Sequence, residues 1–204
     1  MRLLALLAVL MVAVSTAAGA EPAEVTIAAD PLIARWPSGT SLEGRVSSGE
    51  ADEQVKLEAK QCPSRSFATL AVIRTTDAGA WVAGTDVAGM TTFRARWGQT
   101  LSREVVVLGR PHLVLSQLSR RQFRAVLLLG TQADAKRLVL QRFERDNRVW
   151  RALRTIVFRN TASPGWPQMK FTAAVPKGAT LRLVLPRAQA QPCYLGGYSN
   201  ILQT

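Results

Sequence analysis

The chain has 204 residues and a formal net charge of +12, with 48% hydrophobic and 20% charged residues. This composition excludes a disordered polar tail, and 14 glycines and 10 prolines without a triplet period exclude a collagen-like chain. One histidine and two cysteines argue against a zinc site or a cysteine-rich scaffold, so we predict no metal and no cofactor.

The first twenty residues have the pattern of an export signal. Arg2 gives a positive start, residues 3–14 form an apolar run, and small residues lead to a predicted cleavage after Ala20. The run is shorter than the roughly 20 residues that a bilayer span needs. We therefore predict a secreted, extracytoplasmic protein without a membrane span in its mature form. A retained membrane anchor is the alternative.

Short segments of alternating polarity follow, and turn signals separate them. Nothing in the sequence shows a sustained helical stripe with caps. Evenly spaced short strands of this kind predict a β-sandwich. The alternating segments are residues 25–27, 55–60 and 104–107, and the turn signals are residues 36–39, 77–79, 88–89 and 97–98.

The strand pattern occurs twice. Val55 precedes Phe67 by twelve residues, as Leu138 precedes Trp150. Chance similarity between β-rich sequences is the alternative. Further matches are residues 92–95 with residues 180–183, and Ser102 with Ser199.

The two copies set the predicted domain organisation. Arg110 and Pro111 lie between them as a short linker. We predict a signal peptide at residues 1–20, a first domain at residues 21–110 and a second domain at residues 111–204.

Five stretches carry a diffuse family resemblance: residues 55–60, 75–81, 91–97, 139–143 and 188–194. They resemble tandem immunoglobulin-like (fibronectin type III-like) domains of secreted bacterial proteins. The resemblance implies two seven-strand β-sandwiches. It also implies a role in spacing, adhesion or ligand contact, without catalysis.

The two cysteines fall in different copies. Cys62 follows the third strand of the first copy, and Cys193 precedes the last strand of the second. In head-to-tail sandwiches those two loops face each other, which predicts an interdomain disulfide in an oxidising compartment. Two free buried thiols are the alternative.

The positive charge belongs to one half of the chain. Residues 21–110 carry ten basic and eleven acidic residues, whereas residues 111–204 carry fifteen basic and three acidic residues. Arginine binds phosphate and carboxylate groups with two parallel donors. The candidate polyanion-binding residues are Arg137, Arg142, Arg145, Arg148, Arg151, Arg154 and Arg159.

This asymmetry predicts contact with an anionic polymer of the cell envelope. Export argues against nucleic acid as the main partner. Alternatives are a solvated basic face, a neutral-glycan or protein–protein adhesion module, and a purely structural spacer. Trp166, Tyr194 and Tyr198 are candidate aromatic contacts in ligand loops, with a packing role as the alternative.

Catalytic signatures are missing from the sequence. A Ser–His–acid triad would need His112, the one histidine, and no nucleophile motif accompanies it. Glu50, Asp52 and Glu53 lack the spacing of a calcium loop and are interpreted as a solvated turn. We predict that the protein is not an enzyme.

Overall fold

A computed structural model describes residues 23–129, 135–159 and 167–204. The described chain is all-β and forms tandem immunoglobulin-like sandwiches, which confirms the predicted fold class. The predicted export signal lies outside the described residues. No helix among the described residues is long and apolar enough to cross a membrane.

The first sandwich is built from nine strands in two sheets. One sheet has the order β1-β3-β6, and the other has the order β2-β9-β7-β4-β5, with β8 paired to β7. The strands are β1 (Ala28–Asp30), β2 (Ile33–Arg35), β3 (Gly39–Arg45), β4 (Gln54–Gln61), β5 (Ala68–Arg74), β6 (Ala80–Asp86), β7 (Thr91–Trp97), β8 (Thr100–Leu101) and β9 (Val105–Arg110).

The second sandwich repeats this arrangement. One sheet has the order β10-β11-β14, and the other has the order β13-β12-β15-β16, with β17 also paired to β15. The elements are β10 (His112–Ser119), β11 (Gln122–Leu128), β12 (Arg137–Glu144), β13 (Val149–Val157), β14 (Gln168–Thr172), β15 (Thr180–Leu185), α1 (Arg187–Ala190), β16 (Gly197–Tyr198) and β17 (Leu202–Gln203). The sequence pattern did not indicate the one-turn helix α1.

Each sandwich encloses its own hydrophobic core, made by every second residue of its strands. Trp81 and Phe93 are buried in the first core. Phe123, Phe158 and a set of leucines fill the second. Cys62 of the first sandwich packs against the second core, so the first sandwich contributes one side chain to the border of that core.

The internal repeat is visible in the strand registers. β4 corresponds to β12, β5 to β13, and β7 to β15. The β4–β5 register shifts between Leu57 and Glu58, and the β12–β13 register shifts between Leu140 and Gln141. These positions are equivalent in the repeat. A β-bulge therefore recurs at the same place in both sandwiches.

The junction is the region where the first and second sandwiches touch. Cys62 and Cys193 form the predicted disulfide, with Cα atoms 5.3 Å apart. The Met90 N–H donates to the Cys193 carbonyl at 2.7 Å, and the Leu195 N–H donates to the Gly109 carbonyl at 3.0 Å. Besides the direct link between Arg110 and Pro111, the two sandwiches are thus joined by one covalent bridge and by backbone hydrogen bonds.

Candidate binding surfaces

Charged side chains form ion pairs on the outer face of β4 and β7. Glu58 is only 8% exposed, and its carboxylate accepts hydrogen bonds from the Nε atoms of Arg94 at 2.6 Å and Arg96 at 2.9 Å. The hydrogen bond from Arg96 is the largest influence on the carboxyl pKa of Glu58, and with Arg94 it outweighs burial and holds that pKa below 4.5. The guanidinium of Arg94 also lies 3.9 Å from the ring centroid of Phe67.

The equivalent place in the second sandwich has the same geometry with different charges. The Arg182 Nε atom donates to Gln141 Oε1 at 2.8 Å, in the way that Arg94 donates to Glu58. The Arg182 guanidinium lies 4.1 Å from the ring centroid of Trp150 and 5.5 Å from that of Tyr198. An amide thus replaces the carboxylate that neutralises the arginine in the first sandwich.

A cluster of cations occupies the end of the second sandwich that is remote from the junction. Three connections meet there: the β10–β11 turn, the β12–β13 turn and the loop between β14 and β15. We call the exposed cations of these three connections the distal pole. They are Arg120, Arg121, Arg145, Arg148 and Lys177.

Neighbouring surface depressions connect part of the distal pole. Arg120 and Lys177 line one depression of about 340 Å³, and Arg120 and Arg121 line the next. Arg121 and Arg154 line a third. Cations from the β10–β11 turn, the β14–β15 loop and β13 therefore share one continuous stretch of surface.

The structure does not bring all seven predicted arginines together. Arg145 and Arg148 lie in the β12–β13 turn, whereas Arg137 and Arg159 lie at the opposite end of those strands. Seven residues of strand separate Arg137 from Glu144, which corresponds to roughly 23 Å. Arg137 and Arg159 are thus remote from the cations of the turn.

The remaining three arginines have partners in their own domain. Arg142 and Arg151 both pair with Glu144, at 3.5 Å and 2.8 Å. Arg154 donates through Nη1 to the Thr172 carbonyl at 2.8 Å. These contacts fix the direction of the side chains and partly neutralise the first two.

The three aromatic candidates have different surroundings. Tyr194 is only 6% exposed and contacts Gly89 at the junction, so its expected role as a surface ligand contact is corrected to packing. Tyr198 is 58% exposed, beside Arg182. Trp166 lies outside the described residues.

Sequence reasoning missed Arg182, Gln141 and Lys177. The matched segments 92–95 and 180–183 make Arg182 the equivalent of Arg94 in the repeat. The sequence therefore contained a signal for Arg182. The pairing of Gln141 with Arg182 depends on the β12–β15 register, which composition does not reveal. Lys177 joins the distal pole only because β14 and β15 place its loop at the same end as the two turns.

The residues considered as metal or catalytic candidates have the following surroundings in the described ranges. His112 lies at the start of β10, paired with Leu128. Asp52 pairs with Arg74 at 3.6 Å, and Glu53 accepts a hydrogen bond from Ser48. No group of three or more His, Cys, Asp or Glu side chains in the described part of the chain is arranged to hold a metal ion.

Comparisons with known proteins assign neither a family nor a role to this chain. No family model and no curated protein matches the chain. A mutant of Salmonella alpha-2-macroglobulin is similar, with 16% identity and a TM-score of 0.31 over 88% of this chain and 14% of that one. An ectodomain fragment of ICAM-5 is similar, with 11% identity and a TM-score of 0.30 over 88% of this chain and 50% of that one. The chain therefore spans half or less of the length of these two structures.

Proposed function

We propose that this chain is an exported, non-catalytic binding protein of the cell envelope whose basic second domain contacts anionic polymers. The resemblance of its strand segments to tandem immunoglobulin-like domains of secreted bacterial proteins supports the setting. A disulfide that joins the two sandwiches fits an oxidising compartment outside the cytoplasm.

The observation that carries the proposal is the distal pole. Its five cations are all exposed and come from three separate connections, so the fold gathers charges that are far apart in sequence. Among the described residues of the second domain, Glu144 and Asp146 are the two acids, and Glu144 already pairs with Arg142 and Arg151. The pole therefore has a surplus of positive charge.

A surface of this kind suits a flexible polyanion. Exposed cations attract a charged chain over about 8–10 Å at physiological salt, and each contact with a polymer charge releases condensed counterions. Shallow depressions between Arg120, Arg121 and Lys177 can admit phosphate or carboxylate groups. The polymer would bridge the three connections of the pole.

The direct test is retention of the whole protein on immobilised polyphosphate across a salt series. We expect binding that weakens steeply with salt. Changing Arg120, Arg121, Arg145, Arg148 and Lys177 to Gln should reduce the slope of log affinity against log salt by about 3–5, because each lost cation is one lost phosphate contact.

The control variant removes the same number and kind of charges from the first sandwich. Arg35, Arg45, Lys56, Arg65 and Arg103 are all exposed, and changing them to Gln lowers the net charge by the same amount. We expect this variant to keep most of the binding. Equal weakening by both variants would show that only net charge matters, and salt-independent binding would refute the polyanion proposal.

A further inference from the structure

The outer faces of the two equivalent sheets differ in a systematic way. The register pairs Lys56 with Arg96 and Glu58 with Arg94 in the first sandwich. In the second sandwich the same positions pair Val139 with Val184 and Gln141 with Arg182. The equivalences are Lys56 with Val139, Glu58 with Gln141, Lys60 with Phe143, Arg94 with Arg182, and Arg96 with Val184.

One charge therefore remains where the first sandwich has five. Phe143 packs against Trp150 with ring centroids 5.2 Å apart, in the place where Lys60 lies over Phe67. Tyr198 and Leu153 are exposed nearby, at 58% and 40%. The second sandwich thus presents an apolar outer face with a single guanidinium in it.

The guanidinium of Arg182 has no negatively charged partner among the described residues. Arg182 forms no ion pair with any described residue, and its Nε bond to Gln141 is a bond to a neutral amide. Burial lowers the pKa of the Arg182 guanidinium from its ordinary value, because the partly buried charge loses part of its hydration. A partly buried charge of this kind gains most from a carboxylate, because two charge-assisted hydrogen bonds replace the lost water.

We propose that Arg182, flanked by Trp150 and Tyr198, binds a carboxylate side chain of a protein partner that covers this face with apolar groups. The first sandwich provides the precedent, because there the equivalent arginine already holds the carboxylate of Glu58. The valines, Phe143 and Leu153 fit the aliphatic and aromatic side chains of a protein. A sugar acid would need more hydrogen-bonding groups than this face offers.

The test is an NMR titration of the whole protein at constant ionic strength with two acetylated and amidated tripeptides, Leu-Glu-Val and Leu-Gln-Val. The reporters are the Nε–Hε signals of Arg182 and Arg94. We expect a saturable shift at Arg182 with the glutamate peptide and at least about tenfold weaker binding of the glutamine peptide, since a hydrogen bond to a charged group is lost. Arg94 should not respond, because Glu58 occupies it.

The decisive variant is Gln141→Glu. It recreates in the second sandwich the carboxylate that the first already tolerates, so the fold should be retained and the peptide response at Arg182 should be lost. Persistence of the response in this variant would overturn the proposal. Equal binding of both peptides, equal shifts at Arg94, or tighter binding of glucuronate than of the glutamate peptide would also overturn it.

The carboxylate site and the distal pole are separable. Gln141→Glu should leave the salt-dependent retention on polyphosphate unchanged, and the distal-pole variant should keep the response to the glutamate peptide. Failure of polymer binding would therefore leave the Arg182 proposal standing. Failure of the peptide titration would leave the polymer proposal standing.

Discussion

Ser199 forms in the second sandwich the same two contacts that Ser102 forms in the first. Ser102 Oγ accepts from the Ala95 N–H at 2.8 Å, and Ser199 Oγ accepts from the Leu183 N–H at 2.9 Å. Each serine also donates its own backbone N–H to the carbonyl of that same residue, at 2.9 Å. The two serines thus continue the pairing of the β7 and β15 strands beyond the short strands beside them.

Replacing these serines with alanine should destabilise the two domains unequally. Ser199 is 3% exposed, so Ser199→Ala leaves the buried Leu183 N–H without its side-chain acceptor and should lower the free energy of unfolding by about 1–3 kcal/mol. Ser102→Ala should cost less, because Ser102 is half-buried and water can replace the lost bond. Denaturant unfolding measures both, with exposed Ser38→Ala as the control. A larger effect of Ser102→Ala would contradict this ranking.

The repeat shows how far the sequence could be interpreted. The equivalence of Val55 with Leu138, and of Ser102 with Ser199, was visible in the spacing of the sequence. Buried positions of a sandwich strand require apolar side chains at every second residue, and this alternation can be recognised from residue types alone. The pairing of Cys62 with Cys193 followed from sandwich topology, because the loops that carry them lie at the ends of the two domains that face each other. The sequence did not predict which face of the sheet each arginine occupies. The bulge beside Leu140 and Gln141 adds one residue to β13 and shifts its alternation of inward and outward side chains.

The candidate sites were predictable only in part. The charge of the second half was visible, but its gathering at one end depends on which turns the sheet order places together. Tyr194 was expected in a ligand loop, yet the close approach of the sandwiches buries it against Gly89. That approach depends on the bridge and the backbone bonds of the junction, which no local pattern specifies.

The free energy of unfolding of the first domain should decrease at acidic pH, because Glu58 becomes protonated there. Its pKa lies below the ordinary 4.5 in the folded state, so the stabilising contribution is fully present above pH 4.5 and disappears as the pH falls through the folded-state value. Glu58→Gln should remove this part of the pH dependence. Unfolding followed by the indole signal of Trp81, which lies in the first core, measures it between pH 2 and 7. An unchanged acid limb in Glu58→Gln would show that other groups are responsible.

Removing the disulfide should destabilise the protein without changing its sandwiches. The bridge spans 131 residues, and the chain-entropy model gives about 5 kcal/mol as an upper value for such a loop. The pair Cys62→Ala and Cys193→Ala should unfold at lower denaturant concentration than the oxidised protein. Reductant should lower the midpoint of the unaltered chain and leave the double variant unchanged. A midpoint that ignores reductant in both would contradict the role of the bridge.

Gly109 should tolerate no side chain at the junction. A Cβ atom there would lie 2.5 Å from the Cα atom of Gly89, which is backbone and cannot rotate away. We expect Gly109→Ala to push the β6–β7 loop, which carries Gly89, away from β9 within the first sandwich and to cost about 1–3 kcal/mol. Gly84→Ala is the matched control, because its Cβ would meet nothing within 4 Å. Faster hydrogen exchange at the Leu195 N–H, which donates to Gly109, would locate the damage; equal effects of the two substitutions would refute it.

The bridge between Cys62 and Cys193 also determines how the molecule responds to tension. A pull applied before Cys62 and after Cys193 passes through the disulfide, so a sequence separation of 131 residues is bypassed. At about 3.3–3.6 Å for each extended residue, roughly 430–470 Å of chain is withheld from stretching. Strands β5–β15, helix α1 and both candidate binding surfaces, apart from Tyr198, belong to this withheld length. A chain built in this way can bear load along its flanks while the distal pole and the surroundings of Arg182 keep their shape.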